Sequence, residues 1–321
     1  MKREELQRNL LNALEKRIPD RTELLEKLME ILFMEKGAVY RRLRGDVPFS
    51  LFEAVNLAEK MNIPVYNLIY PDSIKTDRFE LNIIDYTHPS EADYNEWADY
   101  IALVNSAKSD PLSEFAESSN ILPLSVYGQF KYLSKFFLFK YQYQSDVTES
   151  RISYGDLVVP ERLIDIYKTY YNETKNFAKT VLIWDHLIFQ YLATDVRFFS
   201  GINLISADEI QLIKNDLSAL ADYMEEIALQ GRFKETGNRV EFYISDINLY
   251  SDYSYLQIND TRLCRMRALI LNSLVSPNQS SFNIIKNRIH SFIKSSTLIS
   301  QSGAIYRAEF FEKQRKIIDE L

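Results

Sequence analysis

Glycine, proline and cysteine are scarce in this 321-residue chain, and each scarcity excludes a class of structure. With 8 glycines and 9 prolines, the chain has few turn-forming residues for an all-β fold, so mostly helix is expected. One cysteine, Cys264, cannot form a disulfide bond within the chain. No apolar run approaches the roughly 20 residues that span a bilayer, and the first residues lack the apolar core of a signal peptide. We therefore expect a cytoplasmic chain with no membrane span.

Groups that could support catalysis or bind a metal are also few. His88, His186 and His290 are far apart in the sequence, and no spacing typical of metal ligands occurs. Residues 291–294 match the S-x-x-K pattern of serine acyl enzymes, but the companion motifs of those enzymes are absent. No glycine-rich phosphate-binding motif occurs either. The sequence therefore predicts no enzyme, no catalytic residue, no metal and no cofactor.

The distribution of charge says more than the net charge of −7, which taken alone argues against nucleic-acid binding. Residues 1–75 are close to neutral, so the acidic excess lies in residues 76–321. Within the first part, residues 36–45 contain Lys36, Arg41, Arg42 and Arg44 and no acidic residue. This basic run stands between two segments with helical periodicity, and it is the sharpest functional signal in the chain.

The first 75 residues read as a compact domain of five short helices. Apolar residues recur at steps of three and four along several of the segments. Thr22 is a plausible N-cap for the second helix, and Ser50 with Glu53 forms a capping-box pattern that opens the fourth. The predicted helices cover residues 2–17, 22–33, 36–44, 50–61 and 63–69. Pro71-Asp72 ends the domain, and a second region follows over residues 76–321.

Residues 33–51 and 58–65 together resemble the lambda-repressor-like DNA-binding domain of the Cro type. That family places a hydrophobic residue where Val39 stands and a glycine where Gly45 stands. Its next helix corresponds to residues 50–61, and its apolar ending corresponds to Ile63-Pro64-Val65. The resemblance covers about 55 of the 321 residues.

The chain departs from the family pattern at three places in this domain. The family usually has a small residue where Met29 stands, and a glycine or a polar residue where Phe33 stands. A polar residue often opens the first helix of the family's motif, where this chain has Leu24-Leu25. The resemblance implies a helix-turn-helix with helix 36–44 as the recognition helix. It also implies a set of DNA-binding positions: Lys36, Gly37, Tyr40 and Arg41 for reading bases, and Arg44 for the phosphate backbone.

These observations predict a sequence-specific transcriptional regulator that binds double-stranded DNA as a homodimer, with helix 36–44 in the major groove. The basic and phenolic side chains suit that role, since Arg and Lys bond guanine and Tyr can contact thymine methyls or phosphate. An alternative is a protein-interaction or scaffold module that keeps the helix-turn-helix fold without reading DNA. The near-neutral charge of residues 1–75 supports that alternative.

Residues 76–321 predict a larger helical region with a small antiparallel sheet, so the fold class expected for the whole chain is mainly α, of the α+β kind. A capping-box pattern at Ser206 and Glu209 opens a helix that ends at Gly231. Two β-rich runs, 240–247 and 253–258, predict a hairpin. The other predicted helices cover residues 90–107, 111–119, 123–143, 160–200, 261–275 and 281–294. Residues 304–321 are predicted as a strand followed by a helix, or as helix throughout.

The aromatic segment 127–143 has three readings: buried core, subunit interface or ligand pocket, of which core is favoured. The region as a whole is expected to dimerise the chain or to respond to an effector. That effector could be a small molecule or a protein, and the sequence does not choose between them.

Overall fold

The computed structural model describes residues 3–61, 63, 68, 79–145 and 152–321. The chain divides into two compact units, unit 1 (Met1–Thr76) and unit 2 (Asp77–Leu321). The division lies beside the predicted boundary at residue 75.

Unit 1 contains four described helices around one apolar core. They are α1 (Arg3–Arg17), α2 (Arg21–Leu32), α3 (Lys36–Leu43) and α4 (Leu51–Lys60). Leu14, Leu28, Val39 and Leu57, one from each helix, are completely buried in the core. The predicted helix 63–69 lies outside the described residues except for Ile63 and Leu68, whose side chains are buried.

The N-caps of α2 and α4 in unit 1 can be compared with those predicted from the sequence. The capping box of α4 is confirmed: the Ser50 hydroxyl accepts from the Glu53 backbone N–H, and the Glu53 carboxylate accepts from that of Ser50. The predicted N-cap of α2 is wrong. Asp20 caps this helix, and its carboxylate accepts from the backbone N–H groups of Thr22 and Glu23 at 2.8 and 2.9 Å. A carboxylate next to the positive end of a helix is favoured over a hydroxyl by its charge.

Unit 2 is built on a mixed eight-stranded sheet. Its strands are β1 (Glu80–Asn82), β2 (Glu114–Ser119), β3 (Lys179–Asp185), β4 (Arg239–Ser245), β5 (Tyr253–Ile258), β6 (Thr261–Arg267), β7 (Ser273–Ser276) and β8 (Ser296–Leu298). The strand order is β1-β7-β6-β5-β2-β3-β4-β8. The pairs β2–β3 and β3–β4 are parallel, and the other pairs are antiparallel.

Eight helices accompany this sheet in the part of unit 2 that is described. They are α5 (Glu91–Asn105), α6 (Leu124–Tyr127), α7 (Lys131–Ser145), α8 (Glu161–Glu173), α9 (Ile188–Gly201), α10 (Ala207–Gln230), α11 (Gln279–Phe292) and α12 (Ala304–Asp319). Helix α11 packs on one face of the sheet, where Phe282, Ile285 and Ile289 meet apolar residues of the central strands. The opposite face carries the larger clusters with α5 to α10 and α12.

The α+β class is confirmed, but the predicted sheet is wrong in size and in type. The predicted hairpin between residues 240–247 and 253–258 does not form, because β4 pairs with β3 and β8 while β5 pairs with β2 and β6. The hairpin partner of β5 is β6, whose residues were predicted to begin helix 261–275. Asn259 and Asp260 join the two strands as a two-residue turn, and the φ of Asn259 is 49°.

Two further helix predictions are wrong because a strand takes part of the range. The range 111–119 contains β2, and the long helix 160–200 is divided into α8, β3 and α9. Six of the seven residues of β3 are buried, so its apolar run lacks the alternation that marks a half-exposed strand. The helices predicted at 90–107 and 281–294 are present as α5 and α11.

The two helix signals at the ends of α10 are confirmed. Ser206 and Glu209 form a reciprocal capping box, and Gly231 ends the helix in the left-handed conformation with φ of 64°. The aromatic segment is mostly core, as expected. Phe136, Phe137 and Phe139 of α7 are buried against the other helices of unit 2.

Candidate DNA-binding surface

Helices α2 and α3 follow each other in the chain and are joined by a three-residue turn. Helix α2 ends at Leu32, and α3 begins at Lys36 after Glu35, whose extended backbone marks the helix start. The turn is closed by a hydrogen bond from the backbone N–H of Met34 to the carbonyl of Met29, at 3.3 Å. A short turn of this kind fixes the direction in which the second helix leaves the first.

Phe33 ends α2 with φ of 51° and ψ of 44°, the left-handed conformation that glycine favours. The residue that holds this glycine-favouring backbone is a phenylalanine. The Phe33 side chain is 94% exposed, so burial does not compensate for the strained backbone.

The inward face of α3 is held by two apolar residues. Val39 and Leu43, four residues apart, are buried in the unit 1 core together with Leu28 of α2. After them, Gly45 has φ of 82°, and its N–H bonds the carbonyl of Arg42 at 3.0 Å, so the chain leaves the helix at a glycine-favouring position. This packing fixes which side of α3 faces solvent.

All five predicted DNA-binding residues lie on the exposed side of α3 or at its end: Lys36, Gly37, Tyr40, Arg41 and Arg44. Lys36 and Arg41 form no ion pair with another described residue. Arg44 has its Nε 3.6 Å from a carboxylate oxygen of Asp46, and its guanidinium lies 6.0 Å from the centre of the Tyr40 ring. Such exposed contacts are weak and leave Arg44 free to pair with a phosphate.

Arg42, the third basic residue of the run, has a structural role inside unit 1. Its guanidinium donates to both carboxylate oxygens of Glu53, at 2.8 and 3.1 Å, and both side chains are largely buried. Burial raises the pKa of Glu53, but the hydrogen bonds from Arg42 and Ser50 outweigh it and lower the pKa overall. The pair links α3 to the capping box of α4 and thereby holds α3 in place.

Gly37 stands on the exposed face of α3, in the first turn. A Cβ atom added to it would meet no atom of the protein within 4 Å, and its φ is not positive. Neither packing nor backbone conformation therefore requires glycine there. A glycine inside a helix costs about 1 kcal/mol relative to alanine, so its presence suits a surface that another molecule approaches closely.

The surface also has acidic and apolar residues that do not favour contact with DNA phosphates. The acidic residues Glu35 and Asp46 flank α3 and are exposed. Helix α4 exposes three apolar side chains, Leu51, Phe52 and Val55. A protein partner could bury these, and so could a second copy of the chain.

Two of the histidines considered in the sequence, His186 and His290, lie in unit 2. Asp185, next to His186, is completely buried and accepts from the backbone N–H groups of Leu187 and Leu249 at 2.8 and 2.6 Å. His290 contacts the Tyr255 hydroxyl at 3.1 Å, and burial lowers its pKa. Asp185 and His290 thus have hydrogen-bond partners, whereas the Nδ1 of His186 is buried without one among the described residues and lies 3.7 Å from a carboxylate oxygen of Asp185.

Comparison with known proteins gives no match: no protein-family model, no curated protein and no solved structure is similar to this chain. Across the described ranges, no helix combines the length and the apolar character needed to cross a membrane.

Proposed function

We propose that this chain is a cytoplasmic, non-enzymatic transcriptional regulator that binds specific double-stranded DNA sequences as a homodimer. The observation that carries the proposal is the exposed face of α3. Lys36, Gly37, Tyr40, Arg41 and Arg44 share it, while Val39 and Leu43 hold the opposite side in the core. The helix-turn-helix geometry and the family resemblance support the same function.

In this proposal α3 enters the major groove. Arg41 and Lys36, which have no carboxylate partner among the described residues, contact base edges, and Arg44 exchanges Asp46 for a phosphate. Arg42 supports the surface through Glu53 without touching DNA. A single copy of unit 1 has few cations free to pair with phosphates and would bind DNA weakly. Pairing of two copies on adjacent half-sites therefore supplies the affinity.

The test is selection of bound duplexes from a random pool by the full chain, followed by affinity measurements at several salt concentrations. Replacing Lys36, Arg41 or Arg44 by alanine should weaken binding to the selected sequence. Loss of one phosphate contact should reduce the salt slope by about 0.9. Lys16→Ala, at the exposed end of α1, is the charge-matched control and should leave both quantities unchanged.

A protein-interaction module without DNA readout is the second candidate. The exposed apolar side chains of α4 and the acidic residues beside α3 favour it. The same experiment separates the two. If no duplex is enriched, or if the three substitutions leave duplex affinity and its salt dependence unchanged, DNA binding is rejected and the interaction module is favoured.

A further inference from the structure

Unit 2 contains a cavity of about 570 Å³ that the proposed DNA-binding function does not use. It lies over the part of the sheet formed by β1, β7, β6, β5 and β2, on the face opposite α11. Helices α5, α6 and α8 supply residues to its other walls. Its volume is that of a small-molecule site, and all of its lining residues belong to unit 2.

One wall is a row of residues that crosses the sheet in register. Glu117 of β2 lies beside Ser254 of β5, Ser254 beside Arg265 of β6, and Arg265 beside Val275 of β7. All four line the cavity. Neighbouring strands are about 4.8 Å apart, so the small Ser254 leaves a gap between the acidic and the basic side chain.

The opposite wall is aromatic. Trp97 and Tyr100 of α5 meet Tyr170 of α8 with ring centres 5.7 and 5.6 Å away, and Tyr167 packs against Trp97 at 6.0 Å. These four rings line the cavity. Packed rings of this kind form a rigid aromatic wall, which suits contact with the aromatic body of a ligand.

Arg265 is the unpaired cation of this cavity. The nearby Arg267 forms an ion pair with Asp252. Arg265 forms no hydrogen bond or ion pair with another described residue, and its Nε is buried without an acceptor. Its guanidinium carbon lies 3.9 Å from the centre of the Tyr100 ring. The contact with the ring orients the guanidinium.

Across the gap, Glu117 is in a different electrostatic state. Burial raises its pKa to about 7, although the hydroxyl of Ser125 donates to its Oε2 at 2.5 Å. Near neutral pH the carboxyl is therefore partly protonated and only partly neutralises Arg265. The other groups whose charge or hydrogen bonding acts on Glu117 are Arg265, Arg267, Asp252, Tyr127 and Tyr170.

We infer that this cavity binds a small organic carboxylate with an aromatic body. Arg265 receives the carboxylate, because an unpaired guanidinium presents a planar fork that matches its two oxygens. The body lies against Trp97, Tyr100 and Tyr170. A ligand with several negative charges fits less well, since the exposed Glu80 and Glu96 also line the cavity.

Titration calorimetry of the full chain tests this with indole-3-acetate and phenylacetate, compared with their neutral amides and with phenyl phosphate. The carboxylates should bind at least about tenfold more tightly than the amides, as expected for loss of a charged hydrogen bond. Trp97 fluorescence gives a second signal, because this ring lies in the cavity wall. If neither carboxylate binds up to millimolar concentration, or if the amides or the phosphate bind equally well, the inference is wrong.

Variants then assign the contact to Arg265. Arg265→Met should abolish carboxylate binding, and Arg265→Lys, which keeps the charge and most of the stem, should retain part of it. Arg288→Met removes an exposed charge from α11, on the other side of the sheet, and should have no effect. Circular dichroism identifies any variant that fails to fold. Binding that survives unchanged in a folded Arg265→Met protein contradicts the assignment.

The pH dependence of ligand affinity tests independently whether the carboxylate binds in the gap between Glu117 and Arg265. Protonation of Glu117 removes a negative charge beside the bound carboxylate. Affinity should therefore rise as the pH falls through about 7. In Glu117→Gln this rise should disappear while binding persists. An unchanged pH profile in that variant would place the ligand away from Glu117 and overturn this part of the site.

Discussion

Replacing Gly37 by alanine should make unit 1 more stable and make DNA binding weaker. Opposite effects of one methyl group on folding and on binding are expected only if the position faces another molecule. Alanine is a better helix former than glycine, and the Gly37 backbone has no positive φ that alanine would strain. A Cβ atom there would meet no protein atom within 4 Å, so no packing clash opposes the gain.

The expected gain in the free energy of unfolding is about 0.5–1 kcal/mol. For a domain of this size it corresponds to a rise in melting temperature of about 2–8 °C. Hydrogen exchange on peptides from α3 measures the effect locally in the full chain. If Gly37 lies against the bases, its added methyl group should push α3 out of the groove and cost at least about tenfold in affinity, or about 1.4 kcal/mol.

Gly201, the last residue of α9, is the matched control. It is also exposed, and a Cβ atom added to it would also meet nothing within 4 Å. Gly201→Ala should therefore leave DNA affinity unchanged. A stabilised Gly37→Ala protein with full DNA affinity would refute the placement of α3 in the groove, and a destabilised one would refute the account of its surroundings.

Three further substitutions test the structure itself. Phe33→Gly should stabilise unit 1 by about 1 kcal/mol, because it relieves a left-handed backbone at an exposed residue; urea unfolding measures the gain, and a loss would contradict the strain. Arg42→Ala should destabilise unit 1 by roughly 1–3 kcal/mol, because it leaves Glu53 buried without its cation. Since the folded pKa of Glu53 is lowered, this contribution to stability is present above the ordinary glutamate pKa and is lost as the pH falls through the folded value. The difference in free energy of unfolding between the original protein and Arg42→Ala should therefore be smaller at pH 3 than at pH 7. Gly231→Ala should lower the melting temperature of unit 2, because its φ is 64° and a Cβ would lie 2.5 Å from the Gln301 side chain; calorimetry showing no change would contradict that contact.

Features that depend on a few neighbouring residues could be predicted from the sequence. The capping boxes at Ser50 and Ser206 and the left-handed stop at Gly231 are local hydrogen-bonding and steric arrangements, and all three are present. The solvent-facing side of α3 could be predicted for the same reason. Val39 and Leu43, four residues apart, determine the buried face of a short helix, and the remaining faces follow.

Features that depend on the whole sheet could not be predicted from the sequence. Strand β3 is an apolar run buried on both faces, so its period does not separate it from a buried helix. Strand β5 was predicted correctly and paired wrongly, because its neighbours β2 and β6 are decided by the order of the sheet and not by proximity in the chain. The cavity was missed for this reason: Glu117 and Arg265 come together only through the register of three strands, and Arg265 was predicted in a helix.

The segment of α2, its turn and α3 contains two local conflicts that folding does not explain. The turn places phenylalanine where the backbone favours glycine, and the helix places glycine where alanine would be more stable. A chain selected for stability alone would have glycine at 33 and alanine at 37. Conflicts between local preference and structure concentrate at functional sites. Because Phe33 and Gly37 lie on either side of the start of α3, they favour that end of the helix as the part that meets a partner. The DNA affinity of Gly37→Ala then tests whether that partner is DNA.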